Sequence, residues 1–178
     1  MKRYSGNRDP RFVAIHRGGD LDLAKHRLLV GWAAECAEHV LHLFTEAHPK
    51  DARPSQAIAI AREWSIGNAT VTQARQAAFG AHSAARESTN SAATEVARSA
   101  GHAVATAHMA DHELGAATYA IRAVMKSVNK TDSIRAAELE CRWQQDQLSE
   151  TICQLVLSDQ QSRNPKFHNL FLASPPSI

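Results

Sequence analysis

The segment AATEVARSAGHAVATAHMADHELGAATYAIRAVMKS (residues 92–127) contains no proline and no alternating apolar run, and it reads as helix throughout. Val96, Ala100, Ala103, Val104 and Ala107 recur at three- and four-residue steps and define one apolar face. Gly101, His108, His112, Gly115 and Tyr119 fall near a different stripe. Small residues on one side and polar rings on another predict a central, nearly surrounded helix with room for a polar pocket. Asp111 can cap a second helix with Glu113 in its first turn, so a break is expected near His108–Asp111.

The same periodicity extends outward in both directions. Leu21, Ala24, Leu28, Trp32, Cys36, Val40 and Leu43 predict a helix capped by Asp20 and lasting to about Glu46. Pro54 suits the first turn of a second helix, and Gly67 its end. A third is expected over about 70–86. Thr131-Asp132 should open a last long helix through Leu139, Trp143, Leu148, Ile152 and Leu155 to about Ser158. The expectation is an all-α, single-domain bundle of about six closely packed, Ala-rich helices. It comprises a basic N-terminal arm (1–19), a helical domain (20–160) and a C-terminal tail (161–178) that packs on the bundle through Phe167, Leu170 and Phe171.

The 178 residues suffice for one domain with its own core. Aromatics are only 6% of the chain, and alanine supplies much of the 44% hydrophobic content. Alanine favours helix but buries little area, so such helices must approach closely to gain from packing. A net charge of +2 is too mild to argue for nucleic acid, although Lys2, Arg3, Arg8, Arg11 and Arg17 make the first segment basic. Cys36, Cys141 and Cys153 include no Cys-x-x-Cys pair and fit reduced thiols in a cytoplasmic protein. No apolar run is long enough for a signal segment or membrane span, so neither export by that route nor a membrane partner is expected.

Candidate chemistry centres on the histidines. His108 and His112 are four apart, a familiar zinc spacing, but Met109, Ala110 and Asp111 between them do not give the His-Glu-x-x-His form. A third ligand would have to come from His82 or His102. The candidate ligand pocket is therefore His82, His102, His108, His112 and Tyr119, with His108 and His112 the alternative metal pair; no cofactor is called for. Arg53, Arg62, Arg75 and Arg86 could pair with acids between helices or present a partner-binding surface. Glu35, Glu38, His39 and His42 read as a solvated face. Trp32, Trp64 and Trp143 read as core anchors. Nucleophile elbows and phosphate-binding glycine loops are lacking.

The stretches HRLLVGWAAECAEHVLHLF (26–44), RPSQAIAIAREWSIG (53–67), ARQAAFGAHSAARE (74–87), AGHAVATAHMADHELGAATYAIRA (100–123) and ECRWQQDQLSETICQLV (140–156) resemble the immunity proteins of bacterial polymorphic toxin systems, the Imm-five-like group. The resemblance spans roughly 20–157 and is sharpest from Gly101 to Tyr119. It implies an all-helical cytoplasmic protein that binds a cognate toxin rather than turning over a substrate, and it carries over no catalytic residues. The alternative is a metal- or small-ligand-binding helical enzyme using His82, His102, His108 and His112. Nucleic-acid binding through the arm is a weaker reading, and no oligomeric state follows from these features.

Overall fold

A computed structural model describes residues 3–171 and is all-helical: eight α-helices and four short 3-10 turns, with no strand among the described residues. The α-helices are α1 (Leu23–His39), α2 (His42–Ala47), α3 (Arg53–Ile66), α4 (Val71–Glu87), α5 (Ser91–Ala105), α6 (Glu113–Ser127), α7 (Ser133–Asp146) and α8 (Glu150–Arg163). Among the described residues no helix is long and apolar enough to cross a membrane.

The count exceeds the expected six because two long periodic runs are each broken. The first breaks at Val40–Leu41, where the chain turns so that both Val40 and Phe44 are buried against Val96 and Ala97 of α5 and Ala120 and Ala123 of α6. The last breaks at Gln147–Ser149. There the chain turns so that α8 reaches α1, and the Gln145 side-chain amide donates to the Gln160 side-chain oxygen (3.0 Å). A continuous helix would leave Ile152 and Val156 outside the cluster they share with Trp32, Leu114 and Cys141. Burying each of those side chains contributes ~1.5–3 kcal/mol, enough to favour the turn.

Helix boundaries correct two capping expectations. Asp22 rather than Asp20 caps α1, accepting from the Lys25 amide (2.7 Å). The backbone at 20–21 is engaged elsewhere, because Leu21 donates to the Val13 carbonyl (3.0 Å) and accepts from the Ile15 amide (3.0 Å). Asp111 does not cap α6. Its carboxylate receives Nε and Nη2 of Arg8 (3.0 and 2.8 Å). Two signals operate as read: Pro54 lies in the first turn of α3, and Gly67 closes that helix at φ 92°, whereas Asp132 stands before α7 without a side-chain cap. Thr70 and Gln73 form a reciprocal capping box on α4.

The arm and tail both touch the core. Phe12, Val13 and Leu21 are buried, as is Phe171, with Phe167 and Leu170 against the same cluster; residues 172–178 lie outside the described chain. The break expected near His108–Asp111 is present, and α5 and α6 form an antiparallel hairpin around it, with Ser99 Oγ donating to the Ala116 carbonyl (2.8 Å). Helix α5 packs against α1, α2, α3, α4 and α6. The cluster joining α1, α3, α4 and α5 is mainly alanine, including Ala57, Ala61, Ala74, Ala81, Ala100 and Ala103. Methyl-sized side chains let this many neighbours crowd one helix. Only the line Ser91, Thr94, Arg98, His102 of α5 is not fully buried.

Candidate functional site

That exposed line of α5 runs into a ladder of rings. His82 of α4, His102 of α5, His112 of the turn before α6 and Tyr119 of α6 stand side by side. Ring centroids are 5.3 Å apart for His82–His102, 5.2 Å for His102–His112 and 5.1 Å for the stacked His102–Tyr119 pair. His108 extends the row, 5.6 Å from His112. All five candidate pocket residues are thus brought together, each partly exposed.

Two glycines make the ladder possible. A Cβ on Gly101 would lie 2.5 Å from the His82 ring, and one on Gly115 would lie 2.5 Å from Nδ1 of His102. Each imidazole therefore lies against the bare backbone of the next helix. The side chain of any other residue at 101 or 115 would push a rung out of line.

Burial is the first cause of a lowered pKa at His82, His102, His108 and His112 alike. The effect is largest at His102, which falls to about 3, with His112 and His82 adding to it. These rings are neutral at pH 7, each offering one donor and one acceptor. The Nδ1 atoms of His102 and His112 are 3.3 Å apart, a contact in which one ring donates to the other, while Nδ1 of His108 is buried without a partner. Among the described residues no group of three or more His, Cys, Asp or Glu side chains is placed to hold a metal ion.

Positive charge around the ladder comes from arginine. Arg98 and Arg122 flank the Tyr119 ring, 5.9 and 5.7 Å from its centroid. Arg86 follows His82 by one turn of α4, and Arg86 and Arg75 add electrostatically to the lowered pKa of His82 and His108 respectively. Sequence reasoning grouped Arg53, Arg62, Arg75 and Arg86, but the structure separates them. Arg53 bridges Asp51 and Glu87 (2.7 and 2.6 Å), and Arg62 pairs with Glu38. Arg75 and Arg86 meet no carboxylate among the described residues.

Next to His108 the folded arm forms one wall of a cleft of about 420 Å³, lined by Ile15, Leu23, Trp64, Val71, His108 and Met109 among others. Its size falls within the range of ligand and anchor pockets. His26 forms part of the wall, its Nε2 against the Thr106 carbonyl (2.7 Å) and its ring on Trp64.

Residues 19–151 match the family model described as Imm-5 like putative immunity protein. The chain belongs to that family. No curated protein and no solved structure matches it.

The matched span of this Imm-5 like protein contains the whole ladder, both supporting glycines and much of the cleft, and leaves out the arm residue Ile15 and most of α8. Arg98, Arg122 and the exposed Phe79 escaped sequence reasoning. Phe79 follows Val71 and Arg75 and precedes His82 and Arg86 on one exposed or half-exposed stripe of α4, a signal present in the spacing but hidden by the alanines around it. Trp143, expected as a core anchor, is only half-buried and stacks on His39 at 3.6 Å between centroids. Nor is the Glu35–His42 face simply solvated: Nδ1 of His39 holds the buried Glu140 carboxylate at 2.8 Å.

Proposed function

We propose that this chain is a non-enzymatic immunity protein that neutralises a cognate bacterial toxin by direct binding, inside the cell that makes both. Membership of the immunity-protein family carries the reading. The surface is consistent with it: a row of neutral imidazoles and a tyrosine, bordered by arginines, drawn from α4, α5, α6 and the turn between α5 and α6. Tyrosine and arginine are enriched among residues that dominate protein interfaces. A stable interface needs about 1,200–2,000 Å² in total, which a bundle with 9697 Å² of surface can supply.

The test is a titration. A candidate toxin domain, sought among the genes that neighbour this one, is mixed with increasing amounts of the chain, and toxin activity is followed. Inhibition by occlusion saturates at a fixed ratio of chain to toxin. Full protection at catalytic, substoichiometric amounts would instead indicate an enzyme, and no complex at all would remove the reading.

A further inference from the structure

The stretch from α4 to α6 has an uneven charge balance that the whole-chain value of +2 conceals. Its acids are Glu87, Glu95, Asp111 and Glu113; its bases are Arg75, Arg86, Arg98, Arg122 and Lys126. Every acid is already engaged or buried. Glu87 pairs with Arg53, Glu95 with Lys126 and Asp111 with Arg8, while Glu113 is fully buried. Arg75, Arg86, Arg98 and Arg122 meet no carboxylate among the described residues. The unpaired charge on this face is of one sign.

Apolar groups interrupt it in one place. Phe79 is 69% exposed in the middle of the α4 stripe, and Val71 at the start of that stripe is 42% exposed and lines the cleft. Across the cleft Leu23 and Ile15 are 58% and 48% exposed. Val71 starts the α4 stripe and His108 ends the ladder, and both line the cleft, so cleft, stripe and ladder join into one surface.

The competing candidate is α7, where Ile134 and Leu139 are also exposed. There Arg135 and Arg142 are interspersed with Glu138, and neither Ile134 nor Leu139 lines the cleft beside α4. A concave apolar pocket beside unpaired charge of a single sign favours the α4 side.

We propose that the partner docks on this α4–α6 face, seating an apolar side chain in the cleft and laying acidic residues across Arg75, Arg86, Arg98 and Arg122. This rests on the reading of the chain as an immunity protein and adds to it where the toxin binds and what chemistry its surface presents. Complementary charge speeds capture, and a filled, desolvated pocket slows release.

The probe is the toxin domain that the stoichiometric titration identifies as neutralised, with binding to the full chain followed by biolayer interferometry at low and moderate salt. Leu23→Asp and Val71→Asp should each raise Kd at least about tenfold, chiefly through faster release. Both sites are exposed, and an acid in the first turn of α4 favours that helix, so circular dichroism should report native folding. Arg75→Glu with Arg98→Glu should slow association about tenfold and flatten its salt dependence. Ile134→Asp on α7 should leave Kd within about twofold. A wild-type complex insensitive to the cleft and arginine variants, or one abolished by Ile134→Asp, overturns the docking face while leaving the immunity reading standing. A wild-type dimer that Leu23→Asp converts to monomer would assign the face to a second copy and overturn it too. No wild-type complex removes both.

Discussion

Replacing Gly115 by alanine sets two effects of known size against each other. In an unobstructed helix interior, glycine to alanine stabilises by ~0.8–1 kcal/mol. At Gly115 the new Cβ would lie 2.5 Å from Nδ1 and 2.8 Å from Cγ of His102. That ring is also stacked on Tyr119 and in contact with His112, so it has little freedom to slide aside. Overpacking of this kind costs ~1–3 kcal/mol, and a ring held on several sides belongs in the upper half of that range. The net is a destabilisation of ~1–2 kcal/mol, or a Tm lower by ~2–8 °C for a chain of this length. Thermal and urea denaturation measure it. Gly31→Ala in α1 supplies the control, because a Cβ there meets nothing within 4 Å. The same substitution should raise Tm there by ~1–4 °C. Combining Gly115→Ala with His102→Ala removes the obstructing ring, and the cycle should show at least ~1 kcal/mol of coupling. If Gly115→Ala is as stabilising as Gly31→Ala, the ring does not rest on that backbone and the account of the ladder is wrong.

The ladder should also make the protein acid-sensitive: the unfolded His102 ring takes up a proton near pH 6.5, the folded one only near 3, so stability is complete above 6.5 and declines as pH falls through that window. By pH 5 the loss from His102 is on the order of 2 kcal/mol, visible as a lower urea midpoint than at pH 7.5 and reduced in His102→Asn. Glu113 should act in the opposite direction. Burial, and then the Asp159 carboxylate, push its pKa well above the usual 4.5, so the folded state holds a proton that the unfolded state has lost, and stability falls as pH rises above 4.5. Glu113→Gln should flatten that decline and gain most against wild type at pH 8, in the same denaturation series. Cys36 is fully buried with its thiol pKa raised, and Cys141 is buried, whereas Cys153 is partly exposed. Under native conditions a thiol reagent should label Cys153 first, and all three cysteines only on unfolding; rapid native labelling of Cys36 would contradict the packing of α1.

Much of the site was legible because ring and glycine positions share one short segment. Gly101, His108, His112, Gly115 and Tyr119 could be placed near one stripe by counting, and the α5–α6 hairpin brings the rings among them together with His82 and His102. The break within that segment was also readable, but its capping logic was not: Asp111 is drawn off by Arg8, a partner 103 residues away. Likewise, nothing local distinguishes Arg53, tied to Asp51 and Glu87, from Arg75, which meets no carboxylate among the described residues. Ion pairing depends on which helix lies opposite, and that is not encoded in spacing.

Alone, then, the order of residues determined the helical class, most helix starts and stops, and the small-residue character of the middle, because these follow from propensity, capping and periodicity within a few turns of chain. Where long periodic runs break, how the basic arm folds down to wall a cleft and which charges stay unpaired were decided by packing. Ile152 and Val156 join the cluster of Trp32, Leu114 and Cys141 only because α8 leaves the line of α7. The area they hide outweighs the few hydrogen bonds a continuous helix would have kept, and that comparison exists only once the helices have met.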